Sequence, residues 1–186
     1  KDTSMKTVFI AAAAAAALLS ACSSMPTGAA APIAAAAVDQ AAPAAMDYVR
    51  MAGASDLYEI NSSQVLLQTS QNEELRRFAQ MMIDHHTQTT ATVKRAAETA
   101  GMTPPPPALD ARKADMIRQL QQAQGQARDT LYIQQQVMAH QEALTLHASY
   151  ARNGDEPALK AAATSAVPIV SQHYNEISAM QGGASM

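Results

Sequence analysis

The chain has 186 residues, with 13 basic and 16 acidic side chains, a formal net charge of −3 and one cysteine. This mildly acidic balance, without a basic stripe, argues against a nucleic acid as partner. A single cysteine excludes an internal disulfide, so a folded domain must be stabilised by its core. Aromatic residues make up only 4% of the chain and tryptophan is absent, which argues against a deep stacking pocket for sugars or bases.

Residues 1–21 are predicted to be a signal peptide. Residues 8–19 form an apolar stretch rich in alanine, which is shorter than the roughly 20 residues of a membrane span. The ending Leu19-Ser20-Ala21-Cys22 resembles the bacterial lipoprotein signal, in which the cysteine is lipidated and becomes the first mature residue. This resemblance implies lipidation of Cys22. The alternative is an ordinary secretory signal with a spare cysteine.

The residues that follow the cysteine indicate where the lipid is anchored. Ser23 and Ser24 replace the aspartate that would resemble an inner-membrane retention signal, so we expect the periplasm as compartment and the outer membrane as anchor. Residues 22–45 are rich in alanine and proline; the prolines block a continuous helix, and little of this segment can be buried. We therefore interpret 22–45 as a tether between the lipid and a folded domain.

Residues 46–182 are predicted to form one all-α domain. Alanine, glutamine, leucine and methionine dominate this part of the chain, and no long two-residue alternation occurs. Turn and cap residues divide it into long helices at 47–69, 72–100, 125–152 and 157–182, with a short extra helix at 110–123 between the second and the third. Long helices joined in antiparallel pairs predict a four-helix bundle. The segment 101–125 would be either a lateral cap or a crossover.

Four residues with possible metal-ligating side chains lie on the apolar faces of the long predicted helices, one per helix and close to mid-length: Glu59, His86, His140 and His173. At about 1.5 Å per residue, the four lie roughly 18 to 26 Å from their helix-connecting turns, and so at similar heights. Unpaired polar groups are costly in a dry interior. Three imidazoles and one carboxylate suit a divalent transition metal, with zinc favoured and copper as an alternative.

Other interpretations of these residues remain open. A buried histidine can be hydrogen-bonded to a core serine or threonine, and Glu59 can pair with a histidine without a metal. His147 lies two turns from His140 and is predicted either at the mouth of the site or as an additional ligand. Met82 shares a helix face with His86 and is either a soft ligand or a core filler. His85 is predicted to face the surface.

Four segments resemble one bacterial family: 59–62, the run Arg-Arg-Phe-Ala-Gln-Met-Met-Ile-Asp-His-His-Thr at 76–87, 137–143 and 167–173. It is an exported family of unknown function, often labelled predicted outer membrane protein and grouped with ferritin-like bundles. The resemblance implies a ferritin-like bundle with possible metal binding and supplies no reaction. His85 stands where the family pattern has its second acidic residue, so His86 matches the family histidine.

The sequence thus predicts a lipid-anchored periplasmic helical bundle that binds one transition-metal ion, with a role in metal buffering, sensing or stress. Its predicted partner is the membrane, through Cys22, and no protein partner is indicated. The alternative is an envelope stress or scaffold protein whose polar core is purely structural. No catalytic residue is assigned, because the Glu-x-x-His pairs of di-iron bundles are missing and no cleft can be inferred.

Overall fold

The computed structural model describes residues 41–183. This part of the chain contains five helices and no strand: α1 (Ala45–Leu67), α2 (Glu73–Thr99), α3 (Ala111–Gln122), α4 (Gly125–Asn153) and α5 (Pro157–Gly183). The predicted all-helical class is confirmed, and the predicted helix ends agree to within two residues. Cys22, the signal segment and most of the predicted tether lie outside the described residues. None of the described helices is both long and apolar enough to cross a membrane.

Local signals in the sequence set the helix ends. The Asn72 side chain accepts hydrogen bonds from the first backbone N–H groups of α2, and Asp110 accepts one from the backbone N–H of Lys113 at the start of α3. Gly101 has a φ of +74°, which lets the Met102 N–H reach the carbonyl of Ala97 at 3.0 Å. This left-handed residue closes α2 and turns the chain into the proline-rich connection.

Each of the four long helices packs against two others. Helix α1 contacts α2 and α4, and α5 contacts the same two helices, while α3 packs on α1 and α4. Because α2 and α4 do not form one of these main contacts, the segment between them passes from one side of the structure to the other, with α3 along its path. The segment 101–125, which the sequence predicted to be either a lateral cap or a crossover, is therefore a crossover.

Two hydrophobic clusters occupy opposite halves of the long helices. The first contains Tyr58, Leu66, Phe78, Leu120 and Tyr132, and the second contains Tyr48, Val93, Leu146, Tyr150 and Leu159. On each helix, the residues between the two clusters include buried polar side chains. The fold therefore has a polar layer between these two clusters, next to a smaller apolar cluster that includes Leu144 and Val170, and the polar layer contains the predicted site.

Candidate metal centre

Three imidazoles from three helices face one another in the polar layer. His86 of α2, His140 of α4 and His173 of α5 are at most 2% exposed. Their ring centres are 5.4 to 5.8 Å apart, and one ring nitrogen from each lies within 4.8 Å of those of the other two. The structure thus brings together three of the four side chains that the sequence predicted to converge.

Each of these imidazoles is held through one nitrogen only. Nδ1 of His86 lies 2.8 Å from Oδ1 of Asp56, and Nδ1 of His140 lies 2.8 Å from the backbone oxygen of Gln136. Nε2 of His173 lies 2.8 Å from Nδ1 of His85. The opposite nitrogens, Nε2 of His86, Nε2 of His140 and Nδ1 of His173, are buried without a hydrogen-bond partner among the described residues. Such buried orphan atoms are rare in folded proteins and require an explanation.

The bonded nitrogens determine which ring nitrogens keep a lone pair. A carbonyl oxygen can only accept, so Nδ1 of His140 donates and Nε2 carries the lone pair. An ionised Asp56 imposes the same tautomer on His86, and Asp56 also accepts from Oγ1 of Thr90 at 2.8 Å. When Nε2 of His173 donates to His85, its Nδ1 is likewise free. Metal-binding histidines are oriented in this way by carboxylates and carbonyls behind them.

The spacing of the rings fits a single ion. The point equidistant from the three ring centres of His86, His140 and His173 lies about 3.2 Å from each. A metal about 2.1 Å from an imidazole nitrogen lies roughly 3.2 Å from that ring's centre, because the nitrogen is itself about 1.1 Å from the centre. The rings are inclined to one another by 54 to 80°, so they are not stacked on one another.

Glu59 lies beside the three histidines and not among them. Its Oε1 is 3.9 Å from Nδ1 of His140, on the nitrogen already bonded to Gln136, and the carboxylate does not belong to the group of mutually close ligand atoms. The side chain is 1% exposed, and neither oxygen has a hydrogen-bond partner among the described residues. Burial raises the pKa of Glu59 to about 7, although the charge of His86 opposes this shift.

The three imidazoles differ in their affinity for a proton. Burial, reinforced by the charge of His86, lowers the pKa of His140 to about 3 and that of His173 to about 2. Burial also disfavours the charged form of His86, but the hydrogen bond and charge of Asp56, with the charge of Glu59, outweigh it and raise the pKa of His86. Of the three imidazoles, His86 therefore holds a proton most readily, and His140 and His173 are held in the neutral form.

The remaining residues predicted for the site are placed elsewhere. His147 is 2% exposed, and its Nδ1 lies 3.0 Å from the hydroxyl of Tyr48, so the predicted position at a mouth is wrong. It lies outside the group of three because it is two turns along α4, in the second hydrophobic half. Met82 is fully buried in the first hydrophobic cluster beside Phe78, where it fills core space.

Sequence reasoning missed Asp56 and misplaced His85. Asp56 precedes Glu59 by three residues on the same helix face, and this spacing was the available signal. His85 was expected at the surface, but it is half-buried, with its ring stacked on that of His173 at 5.0 Å between centres. Adjacent residues on a helix point about 100° apart, so His85 reaches α5 while His86 points to the interior.

Neither the curated proteins nor the solved structures gave a significant match. The family model described as a domain of unknown function, DUF4142, matches residues 30–180. This match spans most of the 186 residues and all three histidines of the cluster. The protein therefore belongs to the DUF4142 family.

Proposed function

We propose that this protein binds one divalent transition-metal ion between His86, His140 and His173. One observation carries the proposal: in a cluster of three imidazoles, each ring has one buried nitrogen without a partner, while its opposite nitrogen is hydrogen-bonded. A purely structural polar core would be expected to satisfy these atoms within the protein. A bound metal ion would be a partner for all three ring nitrogens.

The donor set selects the class of ion. Three neutral imidazoles suit zinc, copper(II) or iron and are poor ligands for calcium or magnesium, which prefer oxygen. The buried carboxylates of Asp56 and Glu59 supply two negative charges when ionised, which balance a divalent cation in this layer. We favour zinc. Three protein ligands leave a fourth coordination position, which a small reorientation of Glu59 or an external ligand would fill.

We further propose the cellular setting and the finer architecture. The contacts of each long helix with two others support a ferritin-like four-helix bundle. The ending Leu19-Ser20-Ala21-Cys22 supports a lipoprotein anchored to the outer membrane and facing the periplasm. In that position the protein would buffer or sense transition metals in the cell envelope. No residue is assigned to catalysis.

Quantifying metal in the protein purified without an affinity tag tests the proposal. We expect about one equivalent of zinc, copper, iron or manganese in the wild type and none in His86→Ala. His147→Gln is the matched control, because it changes a histidine of equal burial that is bonded to Tyr48. No bound metal after loading the folded wild type would contradict the proposal and leave the structural scaffold as the better account.

A further inference from the structure

A cleft between α2 and α5 ends next to the histidine cluster. Its volume is about 210 Å³, room for several water molecules at roughly 30 Å³ each. The α2 wall carries His85, Gln88, Thr89 and Thr92, whose oxygen and nitrogen atoms can replace water around a cation. The α5 wall is formed mainly by small residues: Ala162, Ser165 and Ala166.

His85 separates this cleft from the buried imidazoles. Its ring lines the cleft, and its Nδ1 lies 2.8 Å from Nε2 of His173. His86, His140 and His173 do not line the cleft themselves. A single half-buried imidazole, itself a good ligand for transition metals, therefore stands between the outside and a site that is otherwise closed.

We propose that transition-metal ions reach and leave the cluster through the α2–α5 cleft, with His85 as the outer ligand. This inference rests on the proposed function. The ion exchanges water for the imidazole of His85 and then passes to the three inner nitrogens as the His85–His173 hydrogen bond opens and re-forms. Where His86 is protonated, its Nε2–H bond breaks as the ion binds and the proton passes to water, whereas the neutral imidazoles of His140 and His173 change no covalent bond.

A larger cleft offers the competing route and fits a cation less well. It has a volume of about 640 Å³ and lies between α1, α2 and the proline-rich connection. Arg50 and Lys94 line it without an acidic residue, and most of its other lining is apolar. From this cleft a hydrogen-bonded path to His86 runs through Thr90 and then Asp56, which is 2% exposed.

Plugging each cleft distinguishes the two routes. Ser165→Phe and Gln88→Phe place a large ring at opposite rims of the α2–α5 cleft, at exposed positions outside the metal ligands. Lys94→Phe does the same in the larger cleft, and Thr164→Phe, at the exposed residue beside Ser165, lines neither cleft. Zinc uptake and chelator-driven zinc release by the full chain are followed by stopped flow, and zinc affinity is measured at equilibrium.

We expect both rim variants to slow uptake and release at least tenfold with unchanged affinity, because a plug changes the path and not the bound state. Lys94→Phe and Thr164→Phe should stay within twofold of the wild type. Wild-type rates in both rim variants, or slow exchange in Lys94→Phe alone, would overturn the inference while the proposed function stands. A wild type that binds no zinc would overturn both.

Discussion

His140 and His147 lie seven residues apart on α4 and are buried to the same degree, but their surroundings differ. His147 is bonded to the hydroxyl of Tyr48, whose ring stacks on Tyr150. His140 is bonded to the backbone through Nδ1, and its Nε2 has no partner among the described residues. Burial and residue type alone thus do not identify a ligand. A candidate metal ligand is better indicated by an imidazole in which one nitrogen is hydrogen-bonded and the other is buried without a partner.

The largest expected difference between the two regions is stabilisation by metal. At free zinc about 1,000 times the Kd, binding raises the free energy of unfolding by about 4 kcal/mol, which corresponds to roughly 10 °C in the melting temperature. His86→Ala should lose this increment and His147→Gln should keep it. Thermal unfolding followed by circular dichroism, with and without zinc, measures it. Equal stabilisation of both variants would place the ion elsewhere.

Replacing Glu59 should change apo stability and zinc affinity in opposite directions. Burial raises the pKa of Glu59 from 4.5 to about 7. The buried charge therefore lowers the free energy of unfolding increasingly as the pH rises from 4.5 to 7, and the full reduction is present above pH 7. Glu59→Gln removes up to about 3 kcal/mol of this cost in the apo protein at pH 8. Denaturant unfolding of chelator-treated protein at pH 5 and pH 8 measures the effect.

In the same Glu59→Gln variant, zinc affinity should fall, because a negative charge near the cation is lost. Affinity is measured by competition with a chelator of known strength. An apo protein that is no more stable at pH 8, together with unchanged affinity, would show that the Glu59 carboxylate has partners that compensate its burial.

Asp56→Asn tests the hydrogen bond that orients the imidazole of His86. Asp56 fixes Nδ1 of His86 at 2.8 Å, and loss of such an outer partner typically weakens metal binding by about 10- to 100-fold. The comparison variant is Tyr48→Phe, which removes the corresponding support from His147 and should leave the affinity unchanged. Chelator competition distinguishes the two. An unaffected Asp56→Asn protein would argue that His86 is not a ligand.

The last prediction concerns the acid sensitivity of folding around His147. Burial lowers the pKa of His147 to about 4, below its usual 6.5. The folded state therefore binds this proton less readily than the unfolded chain, and stability is lost as pH falls from 6.5 to 4, by about 1.4 kcal/mol per pH unit. Apo His147→Gln should show a shallower decline than the wild type. Parallel declines would mean that this imidazole does not titrate as described.

The helical class and the three histidines could be predicted from the sequence because they follow from helical periodicity. His86, His140 and His173 stand where apolar residues are expected, and their heights along the helices match. The partners could not be predicted, since Asp56 and His85 lie at the border of the inward faces, where small rotations decide between solvent and interior. Glu59 has the right height, but its carboxylate is directed toward the bonded side of His140.

The cluster draws on helices from both sides of the long connection after α2. His86 belongs to the N-terminal helix pair, whereas His140 and His173 belong to the C-terminal pair. A bound ion would therefore link the N-terminal helix pair to the C-terminal helix pair. A chain nicked in the exposed stretch Pro105–Pro107 should stay together while it is loaded and come apart more readily after chelation.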